Sequence, residues 1–181
     1  MIFNKTTLMD AFIIEPKKIK DERGFFARVW CKKEIYSNGM IPELVQANIG
    51  YNKKRGTLRG LHFQISPHEE VKILRCTRGA IFDVIVDLRK DSPTYTRWEG
   101  FELTEDNHRM VYVPKGFAQG YITLADNTEI YYQTSEYFAP AHARGLRFDD
   151  PAINIRWPIE IKIISDNDRS WPDYVLGKNI V

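Results

Sequence analysis

Two side chains close together in this sequence, His62 and Lys72, could serve a proton-transfer reaction. His62 stands between two apolar residues in RGLHFQ (residues 59–64). Arg59 comes three positions before it, and Lys72 comes ten positions after it. Imidazole suits proton transfer at neutral pH, and a lysine can hold an oxygen that becomes negative when a neighbouring carbon loses its proton. The alternative is that His62 fills a place in a half-buried strand.

A histidine that acts as a base needs partners elsewhere in the chain. A carboxylate normally orients the ring and stabilises the imidazolium, and an acid on the opposite face of the substrate would return the proton with inverted stereochemistry. A tyrosine suits this second role, because an ordinary pKa near 10 keeps it protonated at neutral pH. The run EIYYQTSEYF (residues 129–138) offers Tyr131 and Tyr132.

The elements that must position these residues are predicted to be short β-strands. Runs rich in aromatic and β-branched residues alternate with turn sequences such as SPHEE, DSP and PKG. The runs are FFARVW, LVQANIGY, TLRGLHFQ, VKILRCT, AIFDVIVDL, VYVP, GYITL and EIYYQTSEYF. Short strands at close spacing favour a sandwich or barrel over alternating βα units. We predict an all-β fold, a jelly-roll barrel or sandwich, with short flanking helices near residues 31–40 and 165–174.

Two of the predicted strands have a mixed face that could surround a ligand. In AIFDVIVDL (residues 80–88) one face is continuously apolar, while the other carries Asp83 among isoleucines. Tyr132, Thr134 and Glu136 share one face of the later run. A barrel with a polar interior would place such faces around a cavity. A polar outer face in water is the alternative for each strand.

Length and composition indicate one folded domain over residues 1–181. The chain is 43% hydrophobic, and its net charge of +2 comes from interspersed charges without a basic arm for nucleic acid or membrane. No apolar run reaches membrane-spanning length, and the N-terminus lacks a signal-peptide core. We expect a cytoplasmic protein that binds neither nucleic acid nor membrane.

A metal site is an alternative role for His62. Metal-binding cupins, which are small double-sheet barrels, use two histidines one residue apart, then a glutamate, and a further histidine after a PxG turn. The corresponding positions here are His62, Gln64, Glu69 or Glu70, and Gln119. Glutamines replace two of the three imidazoles and are weak ligands. The sequence therefore predicts no metal site.

Six sequence blocks, spread over nearly the whole chain, fit one family pattern. They are DERGFF (21–26), LRGLHFQ (58–64), VKILRCTRGAIFDVIVDLRKDSPTY (71–95), VPKGFAQGY (113–121), RGLRFDDPAINIRWP (144–158) and SDNDRSWP (165–172). With these blocks the chain resembles the dTDP-4-dehydrorhamnose 3,5-epimerase family of nucleotide-sugar epimerases. The resemblance implies a cupin-type jelly roll that forms a homodimer, in which an N-terminal segment of one subunit reaches the partner's site.

The implied activity is inversion of C3, C5 or both in a nucleotide-linked 4-keto deoxyhexose or heptose, for cell-surface polysaccharide synthesis and without a cofactor. Four residues then take the roles of base, orienting carboxylate, enolate-stabilising cation and opposite acid: His62, Asp168, Lys72 and Tyr132. Asp166 competes with Asp168 on spacing alone. Tyr131 competes with Tyr132 from the other face of the same strand.

The resemblance also implies a set of substrate-binding residues: Arg23, Phe26, Arg28, Gln46, Asn48, Arg59 and Gln119. Arg59 is expected to contact the diphosphate, whereas Arg23 and Phe26 are expected to enter the neighbouring subunit's nucleotide pocket.

Three places depart from the family pattern, and all are expected near the nucleotide. Family members commonly have a glutamate at Arg28, a QDNHS-like run at residues 46–50 and a histidine at Gln119. Arginine suits the acceptor pair of guanine O6 and N7, so Arg28 favours a GDP-linked sugar over a dTDP-linked one. An ion pair with a nearby acid is the alternative for this arginine. The rival functions are a metal-dependent cupin enzyme, a sugar-nucleotide ketoisomerase and a non-catalytic sugar-nucleotide binder.

Overall fold

Two antiparallel sheets stacked on each other form the protein, in a computed structural model that describes residues 1–177. The strands are β1 (Ile2–Lys5), β2 (Phe12–Glu15), β3 (Ile19–Asp21), β4 (Gly24–Phe26), β5 (Gln46–Asn52), β6 (Leu58–Gln64), β7 (Lys72–Arg78), β8 (Ala80–Asp87), β9 (Trp98–Thr104), β10 (Met110–Val113), β11 (Phe117–Thr123), β12 (Thr128–Thr134) and β13 (Ala143–Gly145). Helices α1 (Lys32–Ser37) and α2 (Asp166–Arg169) are short, and a 3₁₀ turn covers Pro140–His142.

The strand order is that of a jelly-roll sandwich. One sheet has the order β1-β2-β10-β7-β12-β5, the other has the order β13-β6-β11-β8-β9, and β3 and β4 form a separate hairpin. The all-β prediction and both short helices are confirmed. The run FFARVW is a strand only as far as Phe26, since residues 27–30 form no strand. Strands β1, β2, β3, β9 and β13 were not predicted.

The core between the sheets leaves room for polar groups at one end. Leu74 and Ile130 of one sheet pack against Ile85 and Tyr121 of the other. Strand β8 directs Ile81 and Ile85 inwards and Val84 outwards, where Leu146 and Ile153 of the later chain cover it. The period-two prediction for this strand is therefore confirmed.

An irregularity in the pairing of β6 with β11 determines which side chains reach the interior. His62 pairs with Gln119 and Arg59 pairs with Tyr121, so β6 contains one residue more than β11 between these pairs. Gly60 lies there with φ +117, and a side chain at this position would begin 2.5 Å from the Cα of Gly120. Since this bulge interrupts the alternation, Arg59 and His62 face the same cavity although they are three residues apart.

Candidate active site

One cavity between the sheets gathers most of the residues that the sequence singles out. Its volume is about 690 Å³, and strands of both sheets line it. His62, Lys72 and Tyr132 line it. Four of the predicted substrate-binding residues also line it: Gln46, Asn48, Arg59 and Gln119. Gln46 donates to the Asn48 side chain at 3.1 Å, and Arg59 donates to Asn52 Oδ1 at 2.8 Å.

The imidazole of His62 is paired with Asp168. His62 Nε2 lies 2.6 Å from Asp168 Oδ1, and the Gly60 backbone N–H donates to Oδ2 at 3.1 Å. Burial alone would raise the pKa of Asp168, but the contacts with His62, Gly60 and Ser165 outweigh it and lower that pKa. An ionised carboxylate accepts the Nε2 proton, which leaves the lone pair of His62 on Nδ1.

Helix α2 decides which aspartate meets the histidine. Ser165 Oγ caps the helix by accepting the Asp168 backbone N–H at 3.1 Å. Asp168 is buried behind His62, whereas Asp166 at the start of the same helix is exposed. The geometry therefore favours Asp168 as the partner of the imidazole.

Lys72 is held beside the histidine by two acceptors. Its Nζ lies 3.0 Å from Glu70 Oε1 and donates to the His62 carbonyl oxygen at 3.2 Å. The side chain is 10% exposed. An ammonium group has three N–H donors, so one donor remains for an oxygen in the cavity.

The two neighbouring tyrosines lie on opposite faces of β12. Tyr132 lines the cavity, whereas Tyr131 lines a small groove on the outer face with Val29 and Met110. Burial, and then the negative charge of Glu70, raise the pKa of Tyr132. Tyr132 is therefore protonated at neutral pH and able to donate.

Several polar residues of the site escaped the sequence prediction. Gln119 donates to Asp83, which is fully buried beneath it. Asn52 donates to the Tyr121 hydroxyl at 3.2 Å, and burial raises the pKa of Tyr121 to about 12 despite this contact. Trp171 lines the cavity beside the histidine strand. Only Asp83 could have been placed near the cavity from the sequence, because it lies on the mixed face of β8. The other contacts join strands that are distant in the chain, and no local sequence pattern predicts them.

The positions that match the cupin metal ligands have other partners. His62 is paired with Asp168, and Gln119 donates to Asp83. Gln64 donates to Glu70 Oε2 at 2.7 Å and accepts from the Ala139 backbone. Within residues 1–177, no three His, Cys, Asp or Glu side chains are grouped so that they could hold a metal ion.

Three predicted binding residues lie outside this cavity. Arg23 pairs with Asp21 in the β3–β4 hairpin, where Phe26 is 72% exposed. Arg28 donates to Glu34 Oε1 at 2.7 Å, which is the ion-pair alternative for this arginine. Their contribution to a neighbouring subunit's pocket stays a prediction.

The jelly-roll sandwich, with an acid–base cavity between its sheets, places the chain in the cupin class. The family model described as dTDP-4-dehydrorhamnose 3,5-epimerase matches residues 5–175. The chain belongs to this family.

Individual members of this family match the chain over nearly its full length. The dTDP-4-dehydrorhamnose 3,5-epimerase of Methanothermobacter thermautotrophicus is 43% identical over 93% of this chain and 92% of its own. The Bacillus anthracis enzyme of the same name, solved with TDP and PPi bound, is 43% identical with a TM-score of 0.92, covering 96% of this chain and 99% of that one. ChmJ, a 3'-monoepimerase from Streptomyces bikiniensis solved with dTDP-quinovose, is 30% identical with a TM-score of 0.86, covering 94% and 86%. No helix within residues 1–177 is long and apolar enough to span a membrane.

Proposed function

We propose that the protein inverts carbon centres next to the ketone of a dTDP-linked 4-keto-6-deoxyhexose. The observation that carries this proposal is the 2.6 Å contact between His62 and Asp168 in a cavity that Lys72 and Tyr132 also line. A base, a cation and a proton donor are the groups that this reaction needs.

The reaction proceeds through an enolate. Nδ1 of His62 removes the proton from the carbon beside the ketone, and the C–H electron pair forms a C=C bond while the carbonyl electrons move to oxygen. Lys72 donates to that oxygen with its remaining N–H. The Tyr132 hydroxyl then protonates the carbon from the opposite face, and the carbonyl re-forms. Proton exchange with water restores neutral His62 and Tyr132.

The same site can serve either carbon next to the ketone. C3 and C5 of a 4-keto sugar both flank the carbonyl, so Lys72 stabilises either enolate without moving. Named relatives include both 3,5-epimerases and a 3'-monoepimerase. Both activities include inversion at C3. We therefore propose that the protein inverts C3 of the 4-keto sugar.

A dTDP-linked substrate is preferred here over a GDP-linked one. The relatives are named for dTDP-sugars, and the Bacillus anthracis enzyme was solved with TDP. The argument for guanine depended on a free Arg28, but Arg28 is paired with Glu34. Gln46 and Asn48, unlike Arg28, line the cavity. We therefore expect these two residues to contact the nucleotide.

A homodimer completes the proposed site. The β3–β4 hairpin exposes Phe25 and Phe26, together with Arg23, away from the cavity of its own chain. Exposed aromatic residues beside an arginine are typical of protein interfaces. We place this hairpin in the nucleotide pocket of the partner subunit.

Deuterium exchange tests the proposed reaction. In D₂O, the protein should incorporate deuterium at C3 of dTDP-4-keto-6-deoxyglucose, which proton NMR records carbon by carbon. His62→Asn should slow this exchange roughly 10²–10⁴-fold. His142→Asn is the control, because the His142 side chain does not line the cavity and its ring packs on His68. If His62→Asn exchanged deuterium at a rate within a few-fold of the parent's, His62 would not be the base.

A further inference from the structure

The phenol of Tyr121 lies in the cavity wall beside Arg59. Tyr121 pairs with Arg59 across strands β11 and β6, and both residues line the cavity. Side chains that face each other across an antiparallel pair lie on the same side of the sheet, with Cβ atoms about 5 Å apart. The phenol and the guanidinium can therefore reach the same group of a ligand.

The side chain of Asn52 connects these two groups. Asn52 Oδ1 accepts from Arg59 Nε at 2.8 Å, and Asn52 Nδ2 donates to the Tyr121 hydroxyl at 3.2 Å. Nδ2 also lies 3.4 Å from the carbonyl oxygen of Thr128. Because a guanidinium only donates, the amide oxygen must face Arg59 and the amide nitrogen must face Tyr121. Asn52 is 2% exposed, so these contacts are shielded from solvent.

The proton of the Tyr121 hydroxyl is left for a ligand. The hydroxyl oxygen accepts from Asn52, and no group among residues 1–177 accepts the O–H. Burial raises the pKa of Tyr121 to about 12, so the phenol keeps its proton at neutral pH. Gly50 leaves the hydroxyl uncovered on the cavity side, since a Cβ added to this glycine would lie 3.3 Å from it.

We propose that the Tyr121 hydroxyl donates to a non-bridging oxygen of the substrate's diphosphate, and that Asn52 is the positioning residue that directs this proton to the ligand. Tyr121 and Arg59 both present donors, and donors bind most strongly to an anionic oxygen. In a dTDP-linked sugar the negative charge is on the diphosphate. The inference rests on the proposed function for this choice of ligand, but its test needs no turnover.

The affinities for dTDP and thymidine test this contact, because the two ligands differ only in the diphosphate. In Tyr121→Phe, titrations followed by NMR should show dTDP binding weakened about 10- to 100-fold, the effect of one hydrogen bond to a charged group. Thymidine binding should not change. An unchanged dTDP affinity, or an equal loss for thymidine, would overturn the proposal.

Tyr112→Phe is the matched control. The Tyr112 hydroxyl also accepts an N–H, from the Ile41 backbone at 3.0 Å, and the residue is buried, but it does not line the cavity. This variant should bind both ligands as the parent does.

The salt dependence of the loss shows whether Tyr121 acts directly. A displaced Arg59 would weaken dTDP binding most at low salt, where charges are least screened. A contact with the neutral hydroxyl should instead give the same fold-loss in Tyr121→Phe at about 50 mM and about 500 mM salt. A loss that shrinks at the higher concentration would mean that Tyr121 acts only through Arg59.

Asn52→Asp tests the positioning role. A carboxylate can still accept from Arg59, but its second oxygen accepts the Tyr121 proton and turns it away from the ligand. In this background, Tyr121→Phe should change the dTDP affinity less than about two-fold. The same loss in both backgrounds would contradict the role of Asn52.

Deuterium exchange separates this inference from the reaction itself. If dTDP affinity proved independent of the Tyr121 hydroxyl while the parent still exchanged deuterium, the contact would be overturned and the epimerase reaction retained. A parent that showed the expected dTDP affinities but no exchange would contradict the reaction and retain the contact.

Discussion

At the scale of single residues, Tyr132 should separate removal of the proton from its return. Tyr132→Phe deletes the hydroxyl that we expect to protonate the carbon, while His62 can still form the enolate. We expect deuterium exchange to continue and net inversion to fall roughly 10²–10⁴-fold, measured by NMR on the same sample. Tyr131→Phe, on the other face of β12, should change neither rate. Equal loss of both rates in Tyr132→Phe would mean that this tyrosine only positions the sugar.

The buried Asp83 should make stability depend on pH. Burial raises its pKa from 3.8 to about 8, so the folded protein holds this proton more tightly than the unfolded chain does. The protonated Asp83 contributes fully to stability at any pH below its pKa in the unfolded chain. This contribution is lost as the pH rises through the pKa of Asp83 in the folded protein. Between about pH 4 and pH 8, this group should lower the free energy of unfolding by up to about 1.4 kcal/mol per pH unit.

Asp83→Asn removes this titration. The difference in unfolding free energy between variant and parent, measured by urea denaturation at several pH values, should move in favour of the variant as the pH rises. A difference that stays constant from about pH 5 to pH 8 would show that the carboxyl ionises normally in the folded protein.

At the scale of elements, Trp171, which follows α2, packs directly on Gly145 of strand β13. Gly145 pairs with His62 of β6, and a Cβ added there would lie 2.0 Å from Trp171 Nε1. Trp171 Nε1 is buried without a hydrogen-bond partner among residues 1–177, so packing on the glycine holds the indole against the cavity wall. The shape of the site beside the base depends on this contact.

Gly145→Ala should therefore destabilise the protein by displacing the indole. We expect a loss of about 1–3 kcal/mol in the free energy of unfolding, as for other overpacked sites. In a Trp171→Leu background the same change should cost less than half as much, because the clash is removed. Denaturant unfolding of the four proteins gives this coupling. Additive losses would show that Trp171 does not restrict position 145.

At the scale of the whole molecule, the proposed dimer predicts that two defective variants complement each other. Arg23→Ala would impair the hairpin, and His62→Asn would remove the base. If the hairpin serves the partner's cavity, a mixed dimer contains one site with both His62 and Arg23 intact. Random reassembly of equal amounts should then restore about a quarter of the parent's sites.

The readout is the exchange rate after the two variants are unfolded and refolded together. The control is the same mixture without the unfolding step, in which subunits have not exchanged. Activity no higher than the sum of the separate variants would mean that the hairpin acts on its own chain, or that it has no part in the site.

The sequence by itself determined the fold class, both short helices and most members of the site. Local patterns suffice for these features, because period-two alternation and turn residues act between neighbours in the chain. The blocks around His62 and Asp168 identified the family, since motif matches do not require knowledge of distances.

Tertiary structure alone decided which side chains meet. His62 and Asp168 are 106 positions apart, and strand pairing chose Tyr132 over Tyr131 for the cavity. Strict alternation would put Arg59 and His62 on opposite faces, but the bulge at Gly60 brings both inside. The physical reason is that pairing register and burial depend on the partner strand, which the local sequence does not specify.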